Sequence, residues 1–398
     1  MHKAFEIILS VIVAIFPALA IYNFLPGTNL AFFLLLIVCI PLLIFREKLD
    51  YNYDEVVFLF CIVLVSVLSC LLHLMLGVVW FDFALFFHNM YSIFICLLPL
   101  CFVTKNLDVN IFVRTVLVFG VVSSIVLIWQ WFSYFFSGSF QADVFLPWFE
   151  IKRDLESFSQ YRPSAFFTEP AHFAIYMLPA FQIALLYRFK VLSYLFAVSI
   201  LCSGSSTGVV LLSVLLTYHV YMIGSQKRYA AVVAFVVVVV SYFIVDVVFP
   251  NVLYNNFEKL SSVRDGSSSG RLFGPLMYIP LLQMYEHVFG ITLNQLSNFL
   301  MVEGNFGPSE SLKNYANALI YMYISYGLIG FVTILVYFKR KFRAIKQSYG
   351  FLLIFIGVFC SDQILFNGNY FYLLSFVLMT EKIYINNLSL KKRFIQKS

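Results

Sequence analysis

Charged residues are scarce in this chain. Its 398 residues include 26 basic and 20 acidic side chains, so that 12% are charged, whereas soluble domains carry roughly 25%. Hydrophobic residues make up 62%, and phenylalanine alone occurs 47 times. So few charges cannot give so apolar a chain a surface that faces water. The composition therefore excludes a soluble enzyme, a disordered chain and a nucleic-acid-binding protein.

Motifs for nucleotide binding and metal chemistry are also missing. The chain has no Walker sequence, no Gly-x-Gly-x-x-Gly and no His-Glu-x-x-His motif. Its seven cysteines include no Cys-x-x-Cys pair, and all of them lie in or at the ends of apolar stretches. We therefore expect the cysteines to be apolar packing residues, and we expect no metal ion and no cofactor.

Long apolar stretches fill most of the chain. A membrane-spanning helix needs about 20 mainly apolar residues. Twelve stretches approach or exceed that length and predict an all-α polytopic membrane protein with a single integral-membrane domain over residues 1–398. The first also resembles a signal peptide, but Glu6 within it favours its retention as a helix. The predicted spans are residues 4–24, 29–45, 56–76, 83–103, 111–136, 170–187, 190–204, 207–224, 229–250, 314–337, 349–366 and 370–387.

Basic residues indicate how these stretches are oriented, because lysine and arginine are enriched in cytoplasmic loops. Of the 26 basic residues, 19 lie near the two termini and in alternate loops, and the other seven lie in two long polar segments, residues 137–169 and 251–313. This alternation predicts that both termini face the cytoplasm and that both long segments lie on the outer face. Long ordered loops on a rigid scaffold usually carry function.

The first outer segment ends in a motif with an arginine, an acid and a histidine. Arg162 is followed by Glu169-Pro170, and His172 lies in the first turn of the next predicted helix. Proline suits that first turn, Thr168 or Glu169 would cap it, and a helix N-terminus favours an anion such as phosphate. The motif predicts an anion clamp with an acid or base beside it. An interfacial Arg162–Glu169 ion pair explains the same residues.

The second outer segment contains two more arginines, Arg264 and Arg271, on either side of a Ser/Gly run. The stretch 271–289 then predicts a broken helix in the outer interface, ending in Glu286 and His287. The arginines are candidates to bind a substrate diphosphate, and anchoring to lipid headgroups explains them equally well.

Ionisable residues inside predicted spans are a further group of candidates. His73 and Asp362 lie deepest in their stretches. Packing between helices accounts for them more simply than function. They do not form the aligned series of carboxylates expected of a proton-coupled transporter.

Three stretches match motifs of one protein family. RPSAFFTEPAHFA at 162–174 is similar to an Arg-x-x-Gly/Ser-x-Phe-x-Glu-Pro pattern. Arg271 with HVFG at 287–290 is similar to an Arg…Pro-hydrophobic-hydrophobic-Gly pattern, and NYANALIYMYISYGLIG at 314–330 to a His-Asn…Gly-hydrophobic-hydrophobic-Gly helix start. In this order they resemble the Wzy-type O-antigen polymerases and the related O-antigen ligases. These are bacterial inner-membrane glycosyltransferases, and the resemblance implies a GT-C-like helix bundle with two catalytic periplasmic segments.

The chain departs from the family's motifs at three positions. Thr292 and Ser206 stand where a second glycine and an arginine are usual. Ala316, next to Asn317, stands where the ligases have a histidine that is central to activity. The resemblance therefore implies a polymerase rather than a ligase, and it leaves the general base open.

The resemblance implies a reaction between two undecaprenyl-diphosphate-linked repeat units at the periplasmic face. A hydroxyl of one unit attacks the anomeric carbon of the growing glycan, and undecaprenyl diphosphate leaves without help from a metal. Arg162 and Arg271 would stabilise the leaving charge, and Glu169 or His172 would deprotonate or orient the hydroxyl. Further substrate contacts would fall to Arg264, Glu286, His287 and Asn317.

The partners implied by the resemblance are lipid-linked glycans, membrane lipids and a separate chain-length-determining co-polymerase, in lipopolysaccharide or other polysaccharide biosynthesis. Nucleic acid is not among them. The alternatives are an O-antigen ligase, a lipid-linked oligosaccharide flippase or other carrier, and a non-enzymatic scaffold. A carrier predicts internal repeats, charges along a midplane cavity and short loops. The sequence instead has two long outer segments, few central charges and no fixed-period repeat.

Overall fold

A computed structural model of the protein describes residues 2–25, 28–45, 50–137, 150–151, 163–223, 274–304, 307, 316–345 and 349–395. Within these ranges the chain forms a bundle of α-helices with one small sheet. The first helices are α1 (His2–Ala14), α2 (Phe16–Leu19), α3 (Leu30–Phe45), α4 (Tyr53–Met75), α5 (Phe83–Leu100), α6 (Val103–Asn106) and α7 (Val109–Ser137). They are followed by α8 (Pro170–Leu186), α9 (Lys190–Cys202), α10 (Ser206–Ile223), α11 (Met284–Phe289), α12 (Leu296–Val302), α13 (Ala318–Ala344), α14 (Gly350–Ser361) and α15 (Gly368–Ile395).

The helices identify the chain as a membrane protein. Among the described residues, four helical stretches are long and apolar enough to cross a bilayer, namely Tyr53–Met75, Phe83–Asn106, Val109–Phe136 and Ala318–Arg343. Five shorter apolar helices accompany them, at Leu30–Pro41, Pro170–Leu186, Lys190–Cys202, Ser206–Met222 and Gly350–Ser361. The predicted stretch at 229–250 lies outside the described residues.

The first predicted span, residues 4–24, is interrupted after Ala14, and its helical part ends at Leu19. Helix α1 ends at Ala14, and α2 begins one residue later with Pro17 in its first turn. Proline has no N–H, and its ring clashes with the carbonyl four residues earlier, so Pro17 favours a break in the helix at this point. The chain then enters a strand, which the all-α prediction did not foresee. This strand, β1 (Tyr22–Leu25), pairs in an antiparallel manner with β2 (Thr28–Asn29) and β3 (Glu150–Ile151).

At two further helix ends, polar residues stop the helix inside the predicted stretch, whereas α13 and α15 continue beyond theirs to Ala344 and Ile395. The stretch predicted from residue 314 becomes helical at Ala318, since the Asn317 side chain accepts the N–H of Ile320 and caps the helix. The stretch predicted to reach residue 366 ends at Ser361, and Asp362 is extended. Its carbonyl accepts the N–H of Ala318 at 2.9 Å, so Asp362 lies at a helix end rather than deep in a span.

Helix α8 is deeply buried within the part of the bundle that the structure describes. It packs against α7, α9, α10, α14 and α15, and its residues from Phe173 to Ala184 are buried throughout. Tyr176 stacks on Tyr372 of α15 at 5.3 Å, and the Tyr372 hydroxyl donates to its carbonyl. Gly208 of α10 approaches Ala174 so closely that an added Cβ would lie 2.6 Å from the alanine methyl. The motif that precedes α8 is therefore attached to a fixed element.

Candidate functional site

The end of the first predicted outer segment folds into a tight turn in front of α8. Ala165 has a φ of 51°, and its N–H donates to the Gln130 Oε1 of α7 at 2.9 Å. The Ser164 hydroxyl donates to the Phe167 carbonyl at 2.6 Å, and the Phe167 ring is fully buried. These contacts fix the chain that leads to Glu169.

Glu169 and His172 both lie at the start of α8. Pro170 occupies the first helical position, as predicted, and Glu169 precedes it in an extended conformation. The predicted side-chain cap is wrong: the Glu169 carboxylate accepts no N–H of the helix, and the Thr168 hydroxyl is 3.1 Å from His172 Nδ1. Both side chains are half-buried. They are placed where an acid and a base could reach one bound group, whereas Arg162 lies outside the described residues.

The described part of the second predicted outer segment, residues 274–304, contains only short helices, none long enough to cross a membrane. Two 3-10 turns, Gly274–Met277 and Ile279–Leu281, lead into α11, and α12 follows. This confirms the broken helical character predicted for this stretch. Arg264 and Arg271 lie outside the described residues.

Glu286 is buried, and each of its two carboxylate oxygens accepts a hydrogen bond. It is 1% exposed, and its Oε2 accepts the backbone N–H of Gln283 at 2.7 Å, completing a capping box at the start of α11. Its Oε1 accepts the Tyr285 hydroxyl at 3.2 Å. Burial, and after it the negative charge of Glu286, raises the pKa of the Tyr285 phenol, which keeps this hydroxyl a donor. The carboxylate therefore holds α11 in place.

His73 of α4 faces the same carboxylate. Its Nε2 lies 3.8 Å from Glu286 Oε1, and both side chains are buried. Phe81 stacks on the imidazole, and Trp80 and Tyr285 meet its plane edge-on. The water-excluding wall around this pair is therefore aromatic.

His287, the next residue of α11, points to a different helix. Its Nδ1 is 2.9 Å from the Tyr323 hydroxyl of α13, and both side chains are half-buried. Because α11 packs between α13 and α4, two consecutive residues connect it to both helices. His287 is consequently the more accessible of the two predicted contacts on α11.

Two glycines bring the chain after α11 against a break in α13. Gly327 has a φ of 61° inside α13, which leaves carbonyls of the preceding turn without helical partners. The N–H groups of Ile291 and Thr292 donate to the carbonyls of Ile324 and Ser325, at 3.0 and 2.8 Å. At Gly290 an added Cβ would lie 2.3 Å from the backbone of Ser325. The two backbones therefore cross with no space for a side chain.

Polar groups attach the loop of residues 293–295, which follows the crossing, to α5 and α13. The Asn89 amide of α5 donates to the Leu293 carbonyl, and its Oδ1 accepts the Asn294 amide at 2.6 Å. The backbone N–H of Asn294 donates to the Tyr321 hydroxyl at 2.9 Å. Gln295 exchanges two hydrogen bonds with the backbone of Asp82. The loop is therefore held by α5, by Asp82 just before α5 and by α13.

Asn317 and Ala316 are both buried at the start of α13. The Asn317 Oδ1 accepts the Ile320 N–H at 3.0 Å, so this atom is occupied by the helix cap. Its predicted contact with substrate stays a prediction.

The predicted site residues form two groups. Glu169 and His172 lie on α8, and Glu286 and His287 lie on α11, and no hydrogen bond or ion pair joins the groups within the part of the chain that the structure describes. In the same part, no cluster of three or more histidine, cysteine or acidic side chains is arranged for a metal.

The sequence-based candidates omitted three residues that complete the second group. They are Ser69, Tyr285 and Tyr323. Ser69 precedes His73 by one helical turn, so the sequence could have indicated that the two share a helix face. The contacts of Tyr285 with His73 and of Tyr323 with His287 join residues far apart in the chain, and no local pattern indicates them.

The chain matches no model of a known protein family, and comparison with curated proteins also finds no match.

Proposed function

We propose that this protein is an integral membrane glycosyltransferase that polymerises undecaprenyl-diphosphate-linked oligosaccharide repeat units. It would work in the bacterial inner membrane with twelve spans, both termini in the cytoplasm and its site on the periplasmic face. The glycan would be an O-antigen or another polysaccharide, and a co-polymerase would set its chain length.

One observation carries this proposal: two of the three family-like stretches meet. The HVFG stretch ends at Gly290, and the backbone of Gly290 lies against the break of α13 next to Gly327. Non-helical backbone at membrane depth is tolerated where it is buried in protein or lines a cavity. A polar segment held against a broken helix is the kind of scaffold that can carry a site at a membrane surface.

In the proposed reaction the acceptor hydroxyl loses its proton to a base and its oxygen attacks the anomeric carbon. The bond from that carbon to the lipid diphosphate breaks, and the diphosphate leaves with the bonding electron pair. Arg162 and Arg271, with Arg264 assisting, would stabilise the charge that develops on the leaving group. Glu169 or His172 would take the proton, because both side chains are partly accessible at one helix start.

The roles proposed for the other residues follow from their surroundings. Half-buried His287 is free to contact a sugar through Nε2 while Tyr323 orients its Nδ1. Glu286 and Asn317 would shape the site indirectly, since their oxygens already bind backbone N–H groups. The apolar helices would hold two polyprenyl tails and bring the reacting ends together.

The test uses purified protein in lipid nanodiscs with short undecaprenyl-diphosphate-linked repeat units. We expect the wild type to produce a ladder of longer glycans without a lipid A acceptor. Arg162→Ala and Arg271→Ala should each reduce the rate by about a hundredfold or more, the loss typical for one preorganised donor. Glu169→Gln and His172→Gln identify the base, since only the variant lacking it should lose about a hundredfold.

Two controls match these variants. Arg343→Ala removes an exposed arginine in the last turn of α13, and His88→Gln removes an exposed histidine of α5. Neither residue belongs to the proposed site, so both variants should leave the ladder unchanged. Normal ladders from both arginine variants would overturn the assignment. Glycan transfer that requires lipid A would indicate a ligase, and vesicle translocation without elongation would indicate a carrier.

A further inference from the structure

His73 has a hydrogen-bonding pattern that defines its tautomer. Nδ1 lies 2.7 Å from the Ser69 carbonyl, and a carbonyl only accepts, so Nδ1 carries a proton. The Ser69 hydroxyl is occupied elsewhere, because it donates to the Gly290 carbonyl at 2.7 Å. Nε2 is buried and has no hydrogen-bond partner within the described residues. The remaining ring nitrogen therefore faces Glu286 alone.

The carboxylate of Glu286 needs a compensating charge. It accepts two neutral donors, the Gln283 N–H and the Tyr285 hydroxyl, and neither of them balances a full negative charge in a buried position. At 3.8 Å the gap to His73 Nε2 is too long for a hydrogen bond but within the range of an ion pair. A proton on Nε2 would make the imidazole a cation and give the buried carboxylate its counter-charge.

We propose that His73 and Glu286 hold one proton between them and form a net-neutral clamp that seats the segment 283–292 on α4. His73 is then a positioning residue, which acts through Glu286 on α11. The Ser69–Gly290 hydrogen bond makes a second attachment one helical turn away on the same face of α4. These two contacts attach the segment to α4 and so keep the Gly290 backbone against the break in α13.

The clamp has a consequence for catalysis, and this part rests on the proposed function. His287 follows Glu286 directly on α11, so a loss of the clamp would displace His287 from Tyr323. The expected result is a lower rate of glycan transfer without a change in the affinity for the lipid-linked donor. The clamp itself does not depend on any activity.

The first experiment measures amide hydrogen exchange of residues 283–292 in the full-length protein in nanodiscs. His73→Phe should accelerate exchange by about a hundredfold or more, because a buried carboxylate loses its counter-charge. Glu286→Gln should change it little, since the amide keeps the Gln283 contact and donates to a neutral His73. The double variant should resemble Glu286→Gln, because a neutral side chain needs no counter-charge. His88→Phe, on the exposed face of α5, is the matched control.

If His73 only packs, His73→Phe will have the same effect with and without Glu286→Gln, and that result would overturn the clamp. His73→Gln serves as a second variant if the phenylalanine does not fold, and it should also be rescued by Glu286→Gln. The second experiment is the nanodisc polymerisation assay. We expect His73→Phe to lower kcat with an unchanged KM, and Glu286→Gln to restore kcat. A wild type that makes no polymer would refute the proposed function, while the exchange data would still decide the clamp.

Discussion

At the scale of single residues, the two glycines at the backbone crossing define the second group of candidate residues. Gly290 and Gly327 have φ angles of 75° and 61°, in the left-handed region that favours glycine. A Cβ on either one would overlap the backbone of the other segment, at 2.3 Å and 2.4 Å respectively. The sequence motifs contained both glycines, but only the fold shows that they face each other.

Replacing these glycines should destabilise the protein far more than replacing a glycine with the same φ in open space. We expect Gly290→Ala and Gly327→Ala to cost about 2–5 kcal/mol, combining left-handed strain with overpacking. Gly77→Ala is the matched control: Gly77 has a φ of 62°, and its added Cβ meets no atom within 4 Å.

The control should cost only the strain, about 1–2 kcal/mol. The measurement is the fraction of monodisperse protein left after stepwise heating in detergent. Equal melting temperatures for Gly77→Ala and Gly290→Ala would show that the backbones do not cross closely.

At the scale of helices, α4 and α13 are joined near both ends of α4. His73 lies in its last turn, and Glu55 lies in its first turn, about 27 Å away at 1.5 Å per residue. Glu55 is buried and accepts Lys341 Nζ and the Tyr337 hydroxyl of α13, both at 2.5 Å. Phe58 stacks on Tyr337 beside this pair. The antiparallel helices are therefore fastened by a charged contact at one end and by the 283–292 segment at the other.

Removing the buried cation should weaken this pairing strongly. We expect Lys341→Met to cost about 3–5 kcal/mol, because it leaves Glu55 as an uncompensated buried carboxylate. Arg340→Met is the matched control, since the Arg340 side chain is 56% exposed and lies 3.6 Å from Asp54.

An exposed ion pair of that kind contributes at most about 1 kcal/mol. Thermal unfolding in detergent measures both variants, and Glu55→Gln combined with Lys341→Met should recover most of the loss. A melting temperature for Lys341→Met equal to that of Arg340→Met would show that the pair does not hold the helices.

At the scale of the whole molecule, the unequal distribution of basic residues predicts the orientation in the membrane. The segment 251–313 is predicted to lie outside the cell membrane, and the loop after α13 is predicted to lie in the cytoplasm. In the predicted arrangement, Glu169, His172 and α11 would lie on one face of the bilayer.

Cysteine labelling tests that arrangement. In a cysteine-free background, Ser268→Cys should react with a membrane-impermeant maleimide when only the outer membrane is permeabilised. Ser348→Cys should react only after the inner membrane is opened as well. Labelling in the opposite order would reverse the orientation and move the proposed site to the cytoplasmic face.

Hydropathy alone predicted most of the helices, because an apolar stretch of helical length has few other stable structures in a membrane. The stretches 56–76 and 111–136 match α4 and α7 within three residues at each end. Where a helix is shorter than its predicted stretch, the causes are local, at Pro17, Asn317 and Asp362, where a missing N–H or a competing polar group limits the helix. The pairing of β1 with β3 could not be predicted, since the two strands are more than 120 residues apart in the chain.

The sequence by itself determined the membrane character, the helical architecture and the residue types available for chemistry, because these depend on composition and local periodicity. The tertiary structure decided which of those residues are accessible to a bound molecule and which are used to hold the fold. It buried Glu286 against His73, used the Asn317 oxygen as a cap, and left Glu169, His172 and His287 partly accessible. Whether a carboxylate is a structural clamp or a proton acceptor depends on its desolvation and on its partners, and these are set by contacts between residues far apart in the chain.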